Sequence, residues 1–241
     1  MDKNAFWSSA IGGISVGIGI LLAGFSVSIA LYKTRAAERY VSVRGLAERE
    51  VEADLAIWPI AFKDAGNDLM TLQKGIDSKR ESIDRFLTQA GFNRNEISHS
   101  APKISDTQVD RAFNGRADQK YRYVAQATVT LRSANVARVK EMMERSGTLV
   151  EQGIVLGSEN WESRTTFLYT SLNKIKPKMI EEATVNAREA AEQFAKDSRC
   201  KVGQIRNASQ GLFTIEDRDQ SSPDRKKVRV VTSVQYYLVD E

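Results

Sequence analysis

Hydrophobic and polar positions change period several times along this chain, and each change marks an element. From Ala10 to Tyr32 no residue is charged, and about 20 apolar residues suffice to cross a hydrocarbon core. The run predicts a membrane-spanning helix ending in Tyr32 and Lys33 as an interfacial anchor. An unusually long cleaved signal is the alternative; Ser28 and Ala30 would supply its small residues, but Lys3 alone would supply its basic start. Gly13, Gly17 and Gly24 fall at the small-xxx-small spacings that let membrane helices approach closely, so they are the candidate packing face of the anchor. Residues 1–39 are therefore expected to form an anchor with a short basic collar, and residues 40–241 a single domain outside the bilayer.

Beyond the collar the period drops to two. YVSVRG from Tyr40 alternates, and VEADLAIWPIAF is apolar on both faces, with Pro59 predicting an edge strand or a bulge. Leu69, Leu72, Ile76, Ile83, Phe86, Leu87 and Ala90 then recur at helical spacing, and Gly91 is placed to end the helix. Glu96–Val109 reads as a strand, Asp110–Lys120 as a polar loop, and Tyr121–Arg132 as the cleanest alternation in the chain. A short helix through Val136, Val139, Met142 and Met143, closed by Gly147, precedes strands at Ile154–Leu156 and Trp161–Thr170. A third round opens at Asn173, with Pro177 in the first helical turn and Met179, Ala183, Ala187, Ala190 and Phe194 as the buried stripe. Strands at Val202–Ile215 and Val228–Val239 follow. The expected fold is α+β, with a mainly antiparallel sheet of about seven to eight strands and three helices.

Composition narrows the chemistry. One His and one Cys leave neither a disulfide nor a Cys/His zinc set. No phosphate-binding loop, dinucleotide glycine fingerprint or GxSxG motif occurs, so no cofactor, metal or catalytic residue is expected. Asp54, His99 and Cys200 are what a hydrolase or redox enzyme would have to use. Each reads more simply as structural, and Cys200, between Arg199 and Lys201, as the residue closing the third helix. The alternating acids Glu48, Glu50, Glu52 and Asp54 read as a solvated strand face. Arg225, Lys226, Lys227 and Arg229 read as charge protecting an edge strand, without the aromatic interleaving of a nucleic-acid site. Tyr236 and Tyr237 would place rings on both faces of that strand. Arg225, Lys227, Arg229, Tyr236 and Tyr237 are therefore the candidate interface between copies.

The segment FLYTSLNKIKPKMIEEATVNAREAAEQFAKDSRCKVGQIRNASQGLFTI, with YVSVRGLAEREVEADLAIW before it and KKVRVVTSVQYYLV after it, resembles the SIMPL domain family. GFNRNEISHSAPKISD and YRYVAQATVTLRS resemble its middle strands, so the likeness covers about Tyr40 to Val239. It implies a bacterial envelope protein, anchored in the inner membrane, with its domain in the periplasm. It also implies self-assembly into ring-like or channel-like oligomers and a link to oxidative-stress tolerance, with no established catalytic residues. The charge count opposes that orientation, setting Lys3 against Lys33, Arg35 and Arg39, but the rule is weak before a long domain. A periplasmic adaptor that binds an envelope protein by strand addition is the runner-up.

Overall fold

A computed structural model describes residues 17–28, 39–109, 120–157 and 164–240. Residues 17–28 are helical. The strands that follow are β1 (Tyr40–Glu52), β2 (Leu55–Gly66), β3 (Ile97–His99), β4 (Lys103–Asp106), β5 (Tyr123–Ser133), β6 (Val155–Leu156), β7 (Thr166–Leu168), β8 (Cys200–Gln210), β9 (Thr214–Asp217) and β10 (Arg225–Asp240). The helices among them are α1 (Leu69–Gln89), α2 (Val136–Glu144), α3 (Gly147–Glu151) and α4 (Leu172–Asp197). They form two antiparallel sheets, one ordered β1-β10-β8 with β9 on β10, the other β3-β5-β2-β6 with β4 on β5 and β7 on β2. The α+β class expected from the pattern is what the chain adopts. It divides into two compact units, Arg49–Ile175 with Thr214–Val228, and Met1–Glu48 with Lys176–Phe213 and Arg229–Glu241.

The larger unit is built on β2 and β5, which pair without interruption from Ala56 opposite Ser133 to Gly66 opposite Tyr123. Ala125, Ala127, Val129 and Leu131 are buried on one face of β5, and Trp58, Ile60 and Phe62 on β2. Leu72, Ile76, Ile83 and Leu87 of α1 join the same core. Asp68 caps that helix by accepting from the Thr71 amide at 2.8 Å, and Gly91 leaves it at φ +88, a conformation that costs glycine little.

Pro59 does not lie on an edge strand. It falls on β2 between the stretches covered by β7, opposite Leu55–Ile57, and by β6, opposite Phe62 and Lys63. The Ala61 carbonyl on that side accepts from Gly157, and the backbone of Pro59, two residues earlier, faces the same way. Among the described residues no strand stands opposite Pro59 on that side, so none there forfeits a ladder bond to the missing N–H. The strand expected over Glu96–Val109 is broken into a 3-10 turn (Arg94–Glu96), β3 and β4, with Pro102 in the interruption. Gly147 opens α3 instead of closing the helix before it. Of the expected polar loop at Asp110–Lys120, residues 110–119 lie outside the described residues, as do residues 161–163 of the strand expected at Trp161–Thr170.

In the smaller unit α4 covers one face of the sheet through small residues. Its buried stripe is Met179, Ala183, Ala187, Ala191 and Ala195; Ala190 and Phe194, expected there, are exposed. A stripe at strict four-residue spacing follows one ridge of the helix, and here that ridge is nearly all alanine. The reason lies across from it: a Cβ on Gly45 of β1 would stand 1.8 Å from the Ala183 carbonyl oxygen and 2.5 Å from the Ala187 nitrogen. Backbone packs on backbone at this point, so neither side tolerates a larger residue. Asn173 and Pro177 fall inside a helix that already begins at Leu172, so Pro177 forfeits one helical hydrogen bond. At the other end Arg199, with φ 55, takes the left-handed position, and Cys200 starts β8 instead of ending α4.

The strand expected at Val228–Val239 begins earlier, at Arg225, and runs between β1 and β8. It is therefore interior, and charge protection of an edge is not the role of its basic run. Edge positions in this sheet belong to β1 and β8.

Candidate functional site

His99 ends β3 and meets α1, where its Nε2 lies 2.9 Å from Asp84 Oδ1. The pair opens on a cleft of about 480 Å³ lined also by Glu81, Arg85, Thr88 and Arg94. A carboxylate holding an imidazole is half of a general-base arrangement, which also needs a hydroxyl or thiol to activate. Thr88 carries the one hydroxyl among the described lining residues, and it donates to the Asp84 carbonyl oxygen at 2.7 Å. Among the described lining residues the cleft thus assembles a surface carboxylate–imidazole contact and no nucleophile. Asp84 went unnoticed in the sequence because it sits 15 residues before His99, on a helix whose polar face looks like any solvated one.

Asp54 has a different task. Its Oδ1 accepts from the Thr170 amide at 2.6 Å and the Thr170 hydroxyl at 2.9 Å, and its Oδ2 from the Ser171 amide at 2.9 Å. Burial alone would raise this carboxyl, but the donors from Thr170 and Ser171 outweigh it and hold the group below its ordinary value. The side chain ties the β1–β2 turn to the entry of α4. Cys200, in the smaller unit, is buried. Its thiol donates to the Ser198 carbonyl at 3.4 Å and accepts from Arg39 Nη2 at 3.5 Å. Asp54, His99 and Cys200 each have a local set of partners. Among the described residues, no three His, Cys, Asp or Glu side chains stand where they could share a metal ion.

The acidic and basic stretches, distant in sequence, are cross-strand neighbours on β1 and β10. In the larger unit Arg225 pairs with Glu52 at 2.9 Å and Arg218 with Glu50 at 3.7 Å. In the smaller unit Arg229 stands 3.6 Å from Glu48, and the Leu238 amide donates to the Arg39 carbonyl. Those two pairings fix one antiparallel register, which places Tyr40 opposite Tyr237 and Ser42 opposite Gln235. The sheet face away from α4 is open: Tyr40 is 44% and Tyr237 36% exposed, and the Arg206 guanidinium stacks 4.1 Å over the Tyr40 ring. Of the candidate interface residues, Arg225, Lys227, Arg229 and Tyr237 lie on exposed positions of β10, whereas Tyr236 is 3% exposed within the core under α4.

Of the candidate anchor residues, Gly13 lies outside the described residues, and Gly17 and Gly24 belong to the helical stretch at 17–28, where a Cβ on either would meet nothing within 4 Å. Among the described residues no helix is long and apolar enough to cross a membrane.

A mixed α+β fold with two antiparallel sheets defines the class of this protein, and among the described residues Asp54, His99 and Cys200 stand apart, each with its own partners. The chain belongs to the SIMPL family, proteins of unknown function (DUF541), whose pattern it matches over residues 41–236. No curated protein matches it.

Proposed function

We infer that this protein is a single-pass, membrane-anchored component of the bacterial envelope whose domain faces the periplasm. It assembles with copies of itself into a ring-like or channel-like oligomer and serves a structural, stress-related role without catalysis. The observation that carries this reading is the helix at 17–28: Ile18, Ile20, Leu21, Leu22, Phe25 and Val27 are all between 53% and 74% exposed. Six large apolar side chains on one short helix, spread over most of its circumference, find no cover among the described residues; lipid or neighbouring helices would supply it. The uncharged sequence from Ala10 to Tyr32 extends the same character to spanning length. The likeness to envelope proteins noted above supports the periplasmic orientation.

β8 also supports a second reading, that of an adaptor. It ends its sheet, and after a register shift between Gln235 and Tyr236 its last four residues, Asn207–Gln210, pair regularly with β10 and are uncharged and exposed. An extended peptide could add there.

The test combines two measurements on the full chain. In membranes, the protein is expected to resist alkaline extraction and its domain to be cleaved by protease only when the periplasmic side is opened. Native mass measurement in mild detergent is expected to give one discrete oligomer. Release at high pH removes the anchor, and a monomer in detergent leaves the adaptor.

A further inference from the structure

The larger unit holds a second cavity, of about 520 Å³, whose lining differs in kind from that of the His99 cleft. Phe167, Leu168, Met143 and Pro223 give it an apolar floor, and Arg164 and Lys226 give it two cations. The His99 cleft sets Glu81 and Asp84 against Arg85 and Arg94, with Ile97 as its apolar contribution, so its charges balance and it offers hydrocarbon little. The Phe167 cavity offers both.

Lys226 is the unusual residue. It lies on the inward face of β10, only 7% exposed, where a lysine is rarely left without a counter-charge. Asp217 of β9 supplies one by accepting from Nζ, and the Asp217 side chain remains 46% exposed at the cavity wall. An ammonium has three donors, and this contact uses one. Arg164 is exposed at the mouth, and among the described residues no carboxylate pairs with its guanidinium. The lining therefore carries one positive charge more than negative, with hydrogen-bond donors at the polar end and a surface of Phe, Leu, Met and Pro at the other. The volume lies within the range of small-molecule sites, about 300–1,000 Å³.

We propose that this cavity binds small anionic amphiphiles, a carboxylate on a short aliphatic body, with the head group between Arg164 and Lys226 and the hydrocarbon over Phe167 and Leu168. Both the negative head group and the chain are needed: a neutral alcohol lacks the charge, and an alkylammonium meets a lining of net positive charge. Each methylene that reaches the floor tightens binding about fourfold, the equivalent of ~0.8 kcal/mol. The site does not depend on the anchor or on assembly, since all its residues belong to the larger unit.

The test uses the full chain in lipid nanodiscs, titrated with butanoate, pentanoate and hexanoate, with empty nanodiscs as the blank. Saturable binding that strengthens along the series is expected, with hexanol and hexylammonium much weaker. Arg164→Gln, at an exposed position, is expected to weaken hexanoate at least tenfold without moving the melting temperature. Lys226→Met removes the second cation while keeping the length of the side chain, and is expected to weaken it similarly where the variant melts cooperatively. Binding no greater than the blank, equal binding of hexylammonium, or an Arg164→Gln variant that binds like the parent would overturn the proposal.

Discussion

The two units bury their helices by opposite means. In the larger one, α1 sends long side chains, Leu72, Ile76, Ile83 and Leu87, into a core shared with Phe62 and Leu131. The smaller one has an alanine ridge on α4 laid against Gly45, with Val41, Val234 and Tyr236 as its main large partners. Their sheet margins differ as well. The larger unit finishes its sheet with strands of two to four residues, β3, β4, β6 and β7, which leave little backbone for another chain to pair with. The smaller unit ends in β8, 11 residues long. One unit is held by the volume of its side chains and closed at its margins. The other is held by the closeness of its backbones and bounded by long strands, β1 and β8.

Adding atoms should therefore harm the smaller unit most, and removing them the larger. Gly45→Val carries the largest expected effect, because its Cβ would need space already held by backbone atoms of Ala183 and Ala187, for which no side-chain rotation can compensate. Overpacking of a well-packed core, where side chains can still shift, costs about 1–3 kcal/mol, and a backbone clash exceeds that. Amide exchange should show β1 and α4 losing protection while β2 and β5 keep theirs. Protection lost equally in β2 and β5 would mean that the two units fold as one.

Phe62→Ala should cost about 3–5 kcal/mol through loss of a fully buried ring, read as a lower denaturant midpoint in the larger unit. A cost below ~1 kcal/mol would show that its core collapses around the gap and is not volume-limited.

Asp54→Asn is expected to cost about 1–3 kcal/mol near neutral pH, because the Thr170 and Ser171 donors lose a charged acceptor. The carboxyl is held below its ordinary value of 3.8 in the folded state. Its contribution is therefore fully present above that value and is lost as pH falls through the lower, folded value. Melting curves of parent and variant should converge in acid; a gap that stays constant down to pH 2 would assign the effect to something other than the charge.

The smallest effect on stability is expected from Lys227→Glu combined with Tyr237→Ala, both on exposed positions of β10. Surface charge pairs contribute about 0–1 kcal/mol, so the fold should hold. Sedimentation should nevertheless show weaker assembly if the open face of the smaller unit is where copies meet. Parent-like sedimentation would leave β8 or the anchor as the contact.

The amphipathic period of α1, with its glycine stop, and the inward face of β5 were legible because each depends on neighbours within a few residues. The same local logic failed where a partner from far along the chain set the outcome. Ala190 and Phe194 fit a helical stripe as well as Ala191 and Ala195 do. Only the approach of Gly45 selects the ridge that contains no large side chain beyond Met179.

The acids of β1 and the bases of β10 were visible as two separate charged faces. Their pairing needed the strand order, which also turned a supposed edge strand into an interior one. His99 was visible and Asp84 was not, since the packing of β3 beside α1 makes them a pair. The Phe167 cavity had no sequence signature at all, because its floor and its cations come from segments separated by loops. By itself the sequence determined the main helices and strands, the α+β class and the family, through periodicities and runs that act over one or two turns of chain. Tertiary structure decided which faces meet, since strand order and helix seating are settled by burial and backbone distance between residues that no local pattern connects.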